Sequence, residues 1–255
     1  IRDIYYPYVG KENHTIGHPF RMGVWVDGQF SWMGGEWQKT LKYKEDTLVT
    51  DVKARNDRLK IELQMYDTVD FHLNIFVKEI VVRNLEGRDR EVRLFFNHDF
   101  HIYENEVGDT AYYDPDTMAI IHYKSQRYFL INFFDPAKCG TQQFATGIKE
   151  MASAKRTWRD AEDGTLSGNP IAQGSVDSTL GVNLRIKAHG ENVAHYWIAA
   201  GTKYSEVAKL NKDIWEKTPE ELIRRTENYW KLWVNKEMFN FHDLPQRFVS
   251  FFKRS

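Results

Sequence analysis

From residue 20 to about residue 205, apolar and polar residues alternate in short runs broken by turn residues, the period-two signature of strands with one buried face. Val24-Trp25-Val26 and Gln29-Phe30-Ser31-Trp32 flank Asp27-Gly28. That dipeptide tolerates the positive φ values of a type I′ turn, so a tight hairpin is predicted. Thr47 to Arg55 and Arg58 to Tyr66 flank a second turn signal, Asn56-Asp57. In the latter run Ile61, Leu63 and Met65 alternate with Lys60, Glu62 and Gln64, which places the apolar set on one face. Phe71 to Asn84 and Glu91 to Phe100 are expected to pair across residues 85–89. Gly181 to Ile186 and Val193 to Ala200 are expected to pair across 188–192. So many antiparallel strands on short turns predict a mainly β chain, a large antiparallel sandwich of two sheets. Trp158 to Ser178 is less regular and rich in Gly, Asp and Ser; a loop this long is either functional or docked on something.

The period changes after about residue 205. Thr218-Pro219-Glu220-Glu221 predicts a helix start, with Thr218 as N-cap, Pro219 at the first helical position and Glu221 completing a capping box. Leu222, Thr226, Tyr229, Trp230 and Trp233 follow at helical spacing, an aromatic-rich face that needs a covering surface. A second helix start at Asp243-Leu244-Pro245 leads into Phe248, Phe251 and Phe252. So short a helix is not stable alone.

Composition narrows the function classes. The 255 residues are 42% hydrophobic and 15% aromatic, ample for a large core. A formal net charge of −1, with both signs mixed throughout, offers no broad attraction for nucleic acid or an anionic membrane. Neither partner is expected. The single cysteine, Cys139, excludes an internal disulfide and a Cys-based zinc site, and reads as a passive thiol. No targeting signal is visible, and a cytoplasmic setting is slightly favoured. Asn13-His14-Thr15 matches a glycosylation sequon, which matters only in a secreted protein.

His98 and His101, near Asp99, Glu104 and Glu106, invite a metal reading. On a strand, however, His98 shares a face with Phe96 and Phe100 while His101 points with Asp99 to the other side. Two ligands three apart on a strand do not converge on one ion, so no metal and no cofactor is expected. No nucleophile elbow or phosphate-binding glycine loop occurs. Carboxylates are plentiful, yet the sequence nominates no pair with glycosidase spacing. Aromatic residues are more suggestive. Tyr5, Tyr6, Tyr8, Trp25, Trp32 and Trp37 crowd the first 40 residues, with Asn13 and His14 nearby. Sugars stack their C–H faces on such rings and hydrogen-bond to short polar groups. The same rings would equally serve a sheet core or a docking loop.

Three stretches, "RDIYYPYVGKENHTIG", "WRDAEDGTLSGNPIAQGSVDS" and "LPQRFVSFFKRS", together resemble glycoside hydrolase family 15, in its bacterial and archaeal glucoamylase, glucodextranase and trehalase branch. The resemblance implies a galactose-mutarotase-like β-supersandwich over residues 1–212 and a linker helix region over 213–240. Residues 241–255 would begin the first helix of an (α/α)6 catalytic barrel. That barrel carries the family's two catalytic glutamates, so no residue here inherits a catalytic role. The family has a further strand before the position of Ile1, so the opening stretch is expected to continue from an earlier one.

The resulting expectation is a non-catalytic sandwich domain of a glucoamylase-like hydrolase that acts with inversion on starch-type glucans, dextran or trehalose. Its partner would be its own barrel, and an α-glucan would be met through the parent enzyme. Tyr5, Tyr6, Asn13, His14 and Trp32 are the residues expected at the substrate or at the barrel interface. The rival reading is a stand-alone carbohydrate-binding module for α-glucans. A third, a mutarotase-like enzyme, requires a histidine and a carboxylate converging in one groove.

Overall fold

The structure, a computed structural model, describes residues 1–135, 138–149, 156–236 and 244–254. The first strands are β1 (Arg21–Val26), β2 (Gln29–Trp32), β3 (Gln38–Tyr43), β4 (Thr50–Asn56) and β5 (Ile61–Val69). They are followed by β6 (Ile75–Asn84), β7 (Arg90–His98), β8 (Asp109–Asp114), β9 (Ala119–Lys124) and β10 (Arg127–Asp135). Then come β11 (Lys138–Cys139), β12 (Gln143–Ile148), helix α1 (Thr157–Asp160), β13 (Ile171–Gly174), β14 (Val176–Ile186) and β15 (Glu191–Gly201). The chain closes with α2 (Tyr204–Lys217), α3 (Pro219–Val234) and α4 (Gln246–Arg254). Among the described residues no helix is long and apolar enough to cross a membrane. The Cys139 side chain and Asp243 lie outside the described part, so the thiol reading and that proposed cap are not addressed.

Two antiparallel sheets form the predicted sandwich. The smaller runs β12-β14-β7-β1-β2; the larger runs β13-β8-β9-β10-β15-β6-β5-β4-β3, with β11 added to β10. Between them lie Val24, Ile61, Leu63, Leu94, Phe96, Phe129, Leu180, Val182 and Tyr196, all buried. Strands at the middle of the larger sheet are apolar on both faces. On β15, Ala194, Tyr196 and Ile198 face the smaller sheet, while Trp197 and Ala199 join the opposite cluster with Val207, Ile214, Leu222 and Ile223 of α2 and α3. Covering each of those four aliphatic side chains contributes on the order of 1.5–3 kcal/mol. The helices are also pinned by polar contacts. Trp197 Nε1 donates to Asn211 Oδ1 (3.0 Å), as does Asn132 Nδ2 (3.3 Å). Arg225 and Thr226 both bind the buried Asp70 carboxylate.

Local expectations match in several places. The β1–β2 turn has φ values of 52° at Asp27 and 77° at Gly28, with Val26 opposite Gln29. Ile61, Leu63 and Met65 are buried on one face of β5; Gln64 on the other is buried too and donates to Asp51. The turn between β4 and β5 is longer than Asn56-Asp57. Asn56 pairs with Ile61, and its side chain caps the turn by accepting from Leu59 N (2.9 Å). Thr218 does accept from Glu221 N, with Pro219 starting α3. Helix α2 runs unbroken across residues 212 and 213, the expected boundary between sandwich and linker region.

Two expected strand pairings are wrong. β6 and β7 lie in different sheets, and so do β14 and β15. β6 pairs instead with β5 and β15, and β7 with β1 and β14. The short segments 85–89 and 187–190 are therefore crossovers from sheet to sheet, and they lock together. Asn84 Nδ2 donates to the carbonyls of Arg88 (2.7 Å) and Lys187 (3.0 Å), and His189 N donates to Glu86 O. These strands carry apolar residues on both faces, so periodicity alone could not assign their partners. The irregular stretch 158–178 is partly strand as well: it contains β13 and the start of β14, and its remainder lies on the outer face of the smaller sheet.

Asn211→Ala leaves the buried Trp197 donor without its acceptor and removes one of the two acceptors of Asn132 Nδ2, and is expected to cost about 2–3 kcal/mol. Urea unfolding monitored by circular dichroism measures it. The exposed Lys209→Ala should change stability by no more than about 0.5 kcal/mol.

Candidate functional site

The opening loop is tied down at almost every residue. Tyr5 and Asn13 form an isolated antiparallel bridge, and His101 N donates to His14 O. Asn13 gives its side-chain amide to Asp3 (2.7 Å), while its Oδ1 accepts from Thr15 N, Thr15 Oγ1 and Ile16 N, each at 3.1 Å. His14 is fully buried. Its Nδ1 accepts from Tyr103 N, which leaves Nε2 to donate to Tyr6 O (2.8 Å). Arg127 lies over both Tyr6 and Tyr103, 5.6 and 5.1 Å from the ring centroids, and grips Glu12 with two hydrogen bonds. Tyr103 and Glu104 are held at φ +59°, a strained conformation for residues with side chains. Glu104 accepts from Asn13 N in that state. Thus Asn13 and His14 spend their polar atoms internally, while Tyr5 and Tyr8 remain exposed at the loop.

Two clefts flank Ile1. One, of about 490 Å³, is lined mainly by apolar residues including Tyr5, Tyr6, Val9, Phe76 and Phe129; its one carboxylate, Asp3, is the acceptor for Asn13. The other, of about 350 Å³, includes Trp32, Met33, Lys78 and Tyr196 and no carboxylate. The structure therefore separates Trp32 from Tyr5 and Tyr6. Trp32 belongs to an aromatic group with Phe30 and Trp158 on the smaller sheet, and donates to Glu162 Oε1 (3.0 Å). The loop that supplies Glu162 turns at Gly164, where φ is +91° and a Cβ would stand 2.7 Å from the Trp25 indole.

A larger groove of about 780 Å³ lies between β3–β4 and helices α3 and α4, with Tyr43, Trp230 and Trp233 on its walls. Helical spacing marks the two tryptophans only as a face that needs covering; the groove requires α4 to fold back, with Lys253 donating to Asp46 Oδ2 (2.8 Å). Three of its carboxylates are matched with lysines, Asp51 with Lys42, Asp46 with Lys253 and Glu227 with Lys44 and Lys231; Glu45 also lines it. Burial pushes Glu227 up, but hydrogen bonds from Lys231 and Lys44 hold it below its ordinary value. A general acid at neutral pH needs the opposite shift.

His98 and His101 point apart, but not along one strand: β7 ends at His98, and His101 lies in the segment beyond it. His98 enters the core, hydrogen-bonded with Tyr196 Oη (2.8 Å) and in reach of Ser178 Oγ (3.3 Å), which also contacts His122 Nε2 (2.7 Å). Burial pushes His98 well below its ordinary value, and burial with the nearby Lys149 ammonium pushes His122 down to about 3. Outside the core, His18, Asp99 and His101 converge with metal-like spacing, a cluster that strand reasoning missed because His18 comes from the opening segment. The Lys149 ammonium already lies against Asp99 and 3.3 Å from His101 Nε2. Burial pushes the Asp99 carboxyl up, yet hydrogen bonds from His101 and Lys149 hold it well below the usual carboxylate range. The Lys149 ammonium thus already partners Asp99 within this cluster.

The comparisons place this two-sheet sandwich, with helices on the outer face of its larger sheet, beside known proteins. No family model matches the chain. It is 24% identical over 239 residues to an uncharacterized glycosyl hydrolase of Methanocaldococcus jannaschii, covering 91% of this chain and 36% of that protein. Among solved structures, a bacterial glucoamylase complexed with acarbose shares the fold, with a TM-score of 0.73 at 14% identity over 91% of this chain and 33% of that one. A putative kojibiose phosphorylase from the human microbiome is more distant, with a TM-score of 0.48 at 10% identity over 90% and 30% of the two chains. The chain spans about a third of the length of each. It is a β-sandwich domain related to glycoside hydrolases.

The buried His122 makes stability depend on pH. The unfolded chain takes up that proton near pH 6.5 and the folded chain only near 3, so stability falls as pH drops through that window. Asp109, pushed by burial up to about 6, works in the opposite sense over part of the same range. His122→Gln isolates the histidine: the loss of stability between pH ~7 and pH ~4.5 should shrink by about 2–3 kcal/mol relative to the unsubstituted chain, read from denaturant unfolding at the two pH values.

Proposed function

We propose that this chain is the non-catalytic amino-terminal sandwich domain of an inverting, glucoamylase-like glycosidase, and that it supports a separate (α/α)6 catalytic barrel. The observation that carries the reading is the apolar rim left by α3 and α4. Leu232, Trp233, Phe248, Phe251 and Phe252 are all more than half exposed. Helix α4 is otherwise held by the buried Val249 and by Lys253. Such a rim is stable in water only when something covers it. The relationship to a glycosyl hydrolase about two and a half times as long supports the same reading, as does the pairing of most groove carboxylates with lysines. On this reading the barrel supplies both catalytic glutamates and meets an α-glucan of the starch, dextran or trehalose kind, and the sandwich meets the substrate only through it.

A second reading, a stand-alone module for α-glucans, draws on the exposure of Tyr5 and Tyr8 beside the apolar cleft. One set of assays separates them. The purified 255-residue chain should release no glucose from maltose, soluble starch or trehalose, and should show no saturable heat on titration with maltoheptaose. Robust turnover that a point substitution abolishes contradicts the first reading. Binding that Tyr5→Ala removes selects the second.

A further inference from the structure

Beside the smaller sheet, two arginines lie over one indole and two further cations line the same cleft. Arg21 begins β1 and Arg159 lies in α1; their guanidinium carbons stand 4.6 and 5.0 Å from the Trp158 ring. Together with Lys149 and Arg156 they line a cleft of about 350 Å³, whose described walls contain no carboxylate. Like charges held this close repel one another. Their nearest compensation is Asp99, which already lies against Lys149 and His101 and is 3.9 Å from Arg156. No ion pair or hydrogen bond engages the Arg21 or Arg159 guanidinium among the described residues. The Trp158 Nε1 is buried and has no acceptor. The cleft thus combines surplus positive charge and guanidinium forks, and it borders an indole whose buried N–H donor is unsatisfied.

An oxyanion meets all three conditions. Guanidinium groups bind tetrahedral oxyanions through paired, charge-assisted hydrogen bonds, and the indole N–H supplies one further donor. Arginines lie over the Trp158 ring, so the indole is poorly placed to stack a sugar. Recognition therefore rests on the anionic group. A dianion balances several cations better than a single carboxylate does, and the cleft has room for a small ester substituent. We infer that this cleft binds a phosphate group, either as inorganic phosphate or as the anionic head of a phosphorylated sugar. The site shares Arg21 with the Trp32 cleft beside Ile1, lies apart from the Tyr5–Tyr6 cleft and from the apolar rim, and does not depend on the barrel.

The test is calorimetric titration of the 255-residue chain with sodium phosphate near neutral pH at constant ionic strength, followed in parallel by tryptophan fluorescence. One saturable site is expected. Replacing both exposed arginines, Arg21→Gln with Arg159→Gln, should weaken it by about tenfold or more without changing circular dichroism or the ligand-free Tm. Trp158→Phe, which removes the donor and keeps the charge, should weaken it by a smaller factor. A hexose phosphate that binds more tightly than inorganic phosphate identifies the ester as the ligand; equal affinities identify the free anion. No saturable binding by the unsubstituted chain overturns the inference. So does binding that survives the double substitution, which would mark general ionic association.

Discussion

The larger sheet is apolar on both faces, and the rest of the molecule is arranged to cover it. On β15 the side chains alternate between two dry environments, Tyr196 toward the smaller sheet and Trp197 toward α2. A sheet of this kind cannot expose either face to water without losing several kcal/mol at each large side chain. One face takes the five-stranded sheet and the other takes α2 and α3. Because two sheets must share the middle strands' apolar residues, the chain crosses between them at 85–89 and 187–190, where Asn84 fastens both crossovers.

Covering both faces this way leaves polar groups buried, and the structure satisfies most of them internally. Ser178 links His98 and His122 inside the sandwich, with Tyr196 closing the set. At the end of the sandwich the opening loop acts as a plug. Glu12 and Arg127 hold it, and it holds the strained Tyr103-Glu104 turn in return. Those polar groups are thereby unavailable to a ligand. What remains open to a partner is of a different kind: the aromatic rim on α3 and α4, and the arginines around Trp158.

The architecture was legible in the sequence because period two and turn chemistry are local signals. The Asp27-Gly28 hairpin and the Thr218 cap were readable for that reason. Strand partners were not, since β6, β7, β14 and β15 carry apolar residues on both faces and give period two no handle on which sheet each joins. The site was less legible still. Asn13 and His14 look like ligand groups in sequence, and only the fold brings Asp3 and Tyr103 to them. The His18–Asp99–His101 cluster and the arginine cleft are assembled from segments far apart in the chain, which no local pattern registers. Trp32 and Tyr6, close in sequence, end in separate clefts.

The central claim is that the rim on α3 and α4 is an interface whose other half is a catalytic barrel on the same polypeptide. Hydrogen–deuterium exchange tests it most directly, comparing the 255-residue chain with a longer polypeptide that carries the proposed barrel. The account predicts that amides of residues 231–236 and 246–253 exchange much more slowly in the longer protein, while those of β15 are unchanged. Equal exchange at the rim in the two proteins would contradict it.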